Sequence, residues 1–318
     1  MDPTLITMWV GFALAAYSVV GNDSIQTLGT FLSSNEQRPW YILWLYAGLI
    51  LSATLLYGWA YYGGDVSYAR LSKYPFPDNF GWPYLLPPLV LMLLTRSGIP
   101  VSTSFMVLTF FNPENLGSMV YKSVLGYLVA FGAAVALYIA IARSVEKKFI
   151  ENEITRRENQ IWSVLQWFST GFLWSQWLIQ DFANIYAYLP RSLSPVQMYG
   201  SLALLLVTLA YIFYSRGGNI QKIVKAKTNT VDIRSATIID FSYGIVLYVF
   251  KEWSNVPMST TWVFIGLLAG REIAIRYQLQ KKVERPIFRM IGSDLLKVFF
   301  GLVVSIALVY IMRWLTVR

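Results

Sequence analysis

The chain has 318 residues, 56% hydrophobic and only 14% charged, with a net charge of +9 and a mean hydropathy of +0.48. A soluble domain carries roughly 25% charged residues, so this composition excludes an ordinary soluble protein and a disordered one. The sequence has no cysteine and no histidine, which excludes disulfides, thiolate and imidazole metal ligands, and Ser-His-Asp catalysis.

A bilayer core of ~30 Å needs about 20 apolar residues per helix. Leu5–Val20 falls short alone and must continue past Gly21 to cross. No cleavable signal is expected, since Asp2 precedes this apolar run and no basic flank does. Trp40–Tyr62 suffices by itself. Pro83–Thr95 and Val101–Phe111 are two short apolar arms around Arg96-Ser97-Gly98-Ile99-Pro100, which predicts a re-entrant hairpin with its tip near mid-membrane. Tyr121–Arg143 is again a full span. The polar stretch 146–160 reads as a solvated linker or helix. Ile161–Ile179 then runs into Gln180-Asp181, much as the first segment runs into Asn22-Asp23, and Val196–Arg216 spans. Ile238–Phe250 and Pro257–Gly270, around Lys251–Val256, form a second hairpin, and Asp294–Leu315 is the last span.

The expected fold class is an all-α polytopic membrane protein of two inverted-topology repeats. Each repeat has three spans, the first one broken, plus a re-entrant helical hairpin. The repeats are residues 1–145 and 161–318. Three crossings per half is odd, so the second half enters the membrane upside down. In that arrangement 18 of the 26 basic residues face the central loop and 6 face the other side, with Arg96 and Lys251 at the hairpin tips. The bias places the central loop in the cytoplasm and both termini outside a plasma (inner) membrane. Trp40-Tyr41, Trp59, Tyr61-Tyr62, Trp82 and Tyr84 fall at span ends, where an interfacial aromatic belt accounts for them.

The halves repeat in sequence. Asn22-Asp23-Ser24-Ile25-Gln26 corresponds to Gln180-Asp181-Phe182-Ala183-Asn184, with Asp181 158 residues after Asp23. Pro100-Val101-Ser102-Thr103-Ser104 corresponds to Pro257-Met258-Ser259-Thr260-Thr261, at a spacing of 157. Gly63-Gly64 and Gly217-Gly218 follow the second span of each half.

Proline favours the first turn of a helix. Ser102, Thr103 and Ser104 are therefore expected in the first turn of one arm, and Ser259, Thr260 and Thr261 in that of the other. Unpaired N–H groups, hydroxyls and the positive dipole end together suit an oxyanion. The alternative is that these residues only cap their own helices. Asp23 and Asp181 at mid-membrane cost several kcal/mol without a partner. With the amides of Asn22, Gln26, Gln180 and Asn184 and the carbonyls of a broken helix, they suit Na⁺, or H⁺ on the acid. The alternative is a polar device that locks helix packing. Arg96 and Lys251 either steer an anion or snorkel, Lys251 with Glu252 as a possible partner.

At these residues the sequence resembles the inorganic phosphate transporter family, known as PiT, which includes sulfate permease relatives. That family carries Asn-Asp-x-x-Asn and Pro-x-Ser-Thr-Thr-His motifs in each of two inverted repeats. Asn22, Asp23, Asp181 and Asn184 match the first motif; Pro100, Ser102, Thr103, Pro257, Ser259, Thr260 and Thr261 match the second. Gln26 and Gln180 stand for asparagines, Ser104 for a threonine, and Phe105 and Trp262 for the histidines. The resemblance implies Na⁺- or H⁺-coupled uptake of phosphate or a related oxyanion and a homodimer in the lipid bilayer. No enzymatic activity, nucleic-acid partner or cofactor beyond the coupling ion is expected. A lipid-phosphate enzyme lacks support in single acids without histidine; a non-transporting receptor or channel of the same fold is the remaining alternative.

Overall fold

The computed structural model describes residues 2–97, 101–141, 149, 152–216, 232–253, 257–278 and 285–316. Pro100, Gly217, Gly218 and residues 146–148, 150 and 151 lie outside them. The described residues form ten α-helices and two short 3₁₀ turns, with no strand among them. In the first half, α1 is Pro3–Ser34, α2 Trp40–Tyr61, α3 Leu86–Arg96, α4 Thr103–Phe111 and α5 Leu116–Ile141. In the second, α6 is Arg156–Tyr186, α7 Pro195–Tyr214, α8 Ile233–Trp253, α9 Thr260–Gln278 and α10 Arg285–Thr316. Helices follow helices in the same order in both halves. Among the described residues, five segments are long and apolar enough to cross a membrane, in α1, α2, α5, α7 and α8. The protein is an all-α polytopic membrane protein.

Local chemistry sets the helix starts. Asp2 accepts the N–H of Thr4 at 2.9 Å and Pro3 opens α1. Thr155 with Glu158, and Ser194 with Gln197, form capping boxes at α6 and α7. The end of the 146–160 stretch is thereby the first turn of α6.

Two expectations are corrected. The first span of each half is not broken: α1 and α6 run unbroken for 32 and 31 residues. Ser24 and Thr27 return their hydroxyls to carbonyls of their own helix, Thr27 to Ser24 at 2.9 Å, so the polar letters are absorbed without opening the ladder. Carbonyls of a broken helix are therefore not ligands here. The second hairpin is also not a copy of the first. Arms α3 and α4 have 11 and 9 residues, but α8 and α9 have 21 and 19. The extra turns carry Arg234 and Arg271, which depress an apolar window yet are buried; Arg234 pairs with Asp232 at 2.6 Å. A hairpin of two long arms still returns the chain to the side it left, so the crossing parity is unchanged.

Helices α1 and α6 lie antiparallel at the centre, Phe12 against Tyr186 and Phe31 against Trp167. Helix α8 packs along α6, and α9 along α5. The α5–α9 approach depends on Gly266 and Gly270, where any Cβ would run into the carbonyls of Tyr127 and Phe131. Gly266→Val is expected to destabilise the fold by about 1–3 kcal/mol through overpacking. A thermal unfolding midpoint equal to wild type would contradict this close approach.

The loops opposite the central loop are tied across the halves. Gly64 adopts φ +95° and its carbonyl accepts the N–H of Leu193 at 3.0 Å. Trp59 Nε1 donates to the Leu193 carbonyl at 2.9 Å, and Arg191 Nε to the Tyr74 carbonyl at 2.9 Å.

Candidate functional site

Asp23 sits on α1 and Asp181 on α6, both buried, and a single hydroxyl joins them. Thr103 Oγ1 lies 2.7 Å from Asp23 Oδ2 and 3.2 Å from Asp181 Oδ1. One hydroxyl proton serves one acceptor at a time. Two ionised carboxylates this close to a shared partner repel, and a proton or cation between them relieves the repulsion.

Around this bridge the halves make corresponding contacts. Gln26 Nε2 donates to Asp23 Oδ1 at 3.2 Å, and Asn184 Nδ2 donates to Asp181 Oδ1. Ser104 Oγ donates to the Met258 carbonyl at 3.1 Å, and Thr261 Oγ1 donates to the Val101 carbonyl at 3.3 Å. Ser104 and Thr261, like Val101 and Met258, are equivalent at the 157-residue spacing. The two tips therefore grip one another by the same bond, made once from each side. Asn22 Nδ2 adds bonds to Asp23 Oδ1 at 2.6 Å and the Val101 carbonyl at 3.0 Å. Asn184 Nδ2 also reaches Ser104 Oγ at 3.1 Å and Thr103 Oγ1 at 3.2 Å.

Every residue singled out in the two motif pairs is buried: Asn22, Asp23, Gln26, Ser102, Thr103, Ser104, Gln180, Asp181, Asn184, Ser259, Thr260 and Thr261. Their hydroxyls divide in role. Ser102 and Ser259 are not in the first turn as expected but cap it, accepting the N–H of Phe105 at 3.2 Å and of Trp262 at 3.3 Å. Thr103 and Thr261 engage Asp23, and Thr260 lies beside Asp181, its carbonyl taking the Tyr243 hydroxyl at 3.0 Å. Gln180 turns its amide nitrogen to the Leu247 carbonyl of α8 at 3.3 Å.

Four buried oxygens of the cluster lack a hydrogen-bond partner: Gln26 Oε1, Gln180 Oε1, Asp181 Oδ2 and Asn184 Oδ1. All four are acceptors, and each unpaired buried acceptor costs about 1–3 kcal/mol. Hard oxygen donors with this surplus fit Na⁺ or a proton. Phe105 and Trp262 meet edge to face at 5.8 Å, directly after the two tips. Arg96 is exposed over Tyr17, and Lys251 pairs with Glu252 at 3.2 Å, so neither is brought into the cluster.

A third buried acid escaped the sequence reading. Asp240 on α8 accepts Thr30 Oγ1 of α1 and Thr170 Oγ1 of α6, each at 2.6 Å. It lies between the paired acids and a cavity of about 620 Å³ lined by Asn35, Arg38, Asn159, Ser163 and Asp232 near the central-loop ends of α1 and α6. The signal available was an acid in an apolar run. Asp240→Ala leaves two hydroxyls unpaired and is expected to destabilise by about 1–3 kcal/mol, with Asp240→Asn much milder; equal melting temperatures for both variants would contradict this.

The fold and the buried cluster are those of a polytopic membrane protein with polar groups from both halves converging at its centre. Among solved structures, the sodium-dependent phosphate transporter matches with a TM-score of 0.62 over 99% of this chain and 100% of its own, at 16% identity. The two chains share a fold. No protein-family model and no curated protein matches this sequence.

Proposed function

We propose that this protein is a secondary active transporter that couples Na⁺ or H⁺ to symport of a small inorganic oxyanion, phosphate first. The observation that carries the proposal is the Thr103 bridge between Asp23 and Asp181 amid unpaired acceptor oxygens. That arrangement stores negative charge where a cation is needed. The first turns of α4 and α9 lie against it, with N–H groups that no helical carbonyl takes. An anion held there and a cation held by the acids stabilise one another, which is the coupling a symporter requires. The motif resemblance and the shared fold both support phosphate. Sulfate is the alternative cargo, and Phe105 with Trp262 in place of histidines is expected to alter selectivity or pH response.

The work of the protein is transport, without chemical conversion of its cargo. Residues 1–145 and 161–318 act as inverted repeats joined by a cytoplasmic linker, with both termini outside the plasma (inner) membrane and the site exposed to each side in turn. The assembly is a homodimer. Proteoliposomes offered radiolabelled phosphate, sulfate and arsenate, with and without Na⁺ and pH gradients, test the reading. Phosphate accumulation that collapses with the cation gradient is expected. Absence of uptake of every oxyanion under either gradient would overturn it.

A further inference from the structure

Polar residues lead from the paired acids toward the central-loop ends of α1 and α6. On α1, Asp23, Thr27, Thr30 and Ser34 follow at steps of four, three and four residues, so they share one helix face. On α6, Thr170, Gln166, Ser163 and Asn159 step back toward the helix start by four, three and four. The two stripes meet at Asp240, through Thr30 and Thr170, and end at the cavity of about 620 Å³. The opposite ends of the same helices differ. At the 158-residue spacing, the positions equivalent to Gln166, Thr170, Thr30 and Asn35 are Met8, Phe12, Tyr188 and Leu193, all in the buried hydrophobic core. The polar route therefore belongs to one end of the molecule and is not inherited from the repeat.

The wall of the cavity is organised around Asn35, which closes α1. Asn35 Oδ1 takes Arg38 Nε at 3.0 Å and Trp167 Nε1 at 3.3 Å. Guanidinium and indole nitrogens only donate, so they fix which end of the Asn35 amide is the oxygen. Its Nδ2 must then donate, to the Phe31 carbonyl at 2.9 Å and to Gln166 Oε1 at 3.0 Å. Gln166, at 0% exposure, thus spends its oxygen on Asn35, and its Nε2 has no partner. Ser34 Oγ, in the cavity lining, has none either. Arg38 lies over the Trp167 ring at 5.3 Å, and of its guanidinium nitrogens only Nε has a hydrogen-bond partner among the described residues. Arg216 Nη2, just past α7, holds the Arg38 carbonyl at 3.2 Å.

The acid in the lining is already spent. Asp232 takes Arg234 through both oxygens, Nε at 3.0 Å on Oδ1 and Nη2 at 2.6 Å on Oδ2. What is left free at this wall is two donor-only groups, the Arg38 fork and the Gln166 amide nitrogen, and a hydroxyl able to donate. The central cluster has the reverse, four free acceptors. Acceptors suit a cation; unpaired donors with a guanidinium suit an anion.

We propose that this cavity is an inner anion subsite, in which Arg38 and Ser34 hold a phosphate-type oxyanion. A planar fork stacked on an aromatic ring is preorganised for such a group. In the transport cycle, and resting there on the function proposed above, it is the station from which the oxyanion leaves on the central-loop side.

Equilibrium binding of radiolabelled inorganic phosphate to the full-length protein in nanodiscs of zwitterionic lipid tests this. Two classes of site are expected in the wild type. Arg38→Met should weaken one class about tenfold or more, the scale of a lost charged hydrogen bond, and Arg38→Lys should partly restore it. Ser34→Ala should weaken the same class about two- to tenfold, the scale of a neutral one. Asp181→Asn should weaken only the other class. Full retention of both classes in Arg38→Met overturns the subsite. A class that answers to Arg38→Met but is unmoved by Ser34→Ala places the anion outside the cavity and also overturns it. A class that responds to Arg38 and Ser34, with none that responds to Asp181, supports the subsite and counts against the central-site reading. Loss of a co-purifying anionic phospholipid in Arg38→Met, with phosphate binding unchanged, assigns the cavity to a lipid headgroup and overturns the release role.

Discussion

Asp181→Asn is expected to lower gradient-driven phosphate uptake by at least about a hundredfold while the protein still folds. The substitution keeps the shape of the side chain and removes its charge. A cation held by Asp23, Asp181 and the unpaired oxygens of Gln26, Gln180 and Asn184 loses an ionised ligand in a water-poor site. Breaking one side of a buried charge pair costs about 3–5 kcal/mol, which is roughly two to three and a half decades in affinity. Stability should move the other way. Without a cation the two carboxylates repel, so the asparagine variant should unfold no earlier than wild type in sodium-free buffer. The rise in melting temperature that wild type shows with the coupling ion should vanish. Asp23→Asn should behave alike, because Thr103 ties the two acids together. Uptake at wild-type rates in either variant would show that the acids are packing devices.

Thr103→Val carries the second large effect. Valine matches threonine in shape and lacks the hydroxyl that faces both carboxylates and receives Asn184 Nδ2. Losing a buried hydrogen bond to a charged group costs about 1.5–3 kcal/mol. Apparent affinity for phosphate and for the coupling ion should therefore fall together, by roughly ten- to a hundredfold. Thr103→Ser should restore most of both. A loss in Thr103→Val confined to phosphate would separate the tip from the acids and contradict the bridge.

The motif pairs were legible because polar residues inside apolar runs stand out and recur at one spacing. Asp23 with Asp181, and Ser102-Thr103-Ser104 with Ser259-Thr260-Thr261, are brought together as that recurrence implied. Continuity of α1 and α6 was not legible, because Asn, Asp and Ser in a row read as a helix break. Whether they break one depends on whether a neighbour satisfies them, and here α4 and α9 do. The full lengths of α8 and α9 were hidden by arginines whose burial rests on partners distant in sequence, such as the Phe149 carbonyl for Arg234. Asp240 has no counterpart at the repeat spacing, where Pro83 stands, so reasoning by repetition passed it over. Arg70 lies in a polar loop, and nothing in the sequence marks its burial or the left-handed backbone at Tyr68 and Ala69 just before it.

The central claim is that the paired acids and paired tips bind a cation and an oxyanion as one coupled unit. Titrating purified protein with phosphate calorimetrically, at stepped Na⁺ concentrations and at stepped pH, measures that coupling. Phosphate affinity that climbs about five- to 150-fold as Na⁺ is raised or pH is lowered, and stays flat in Asp181→Asn, is the predicted result. Affinity independent of both cations in the wild type would contradict it.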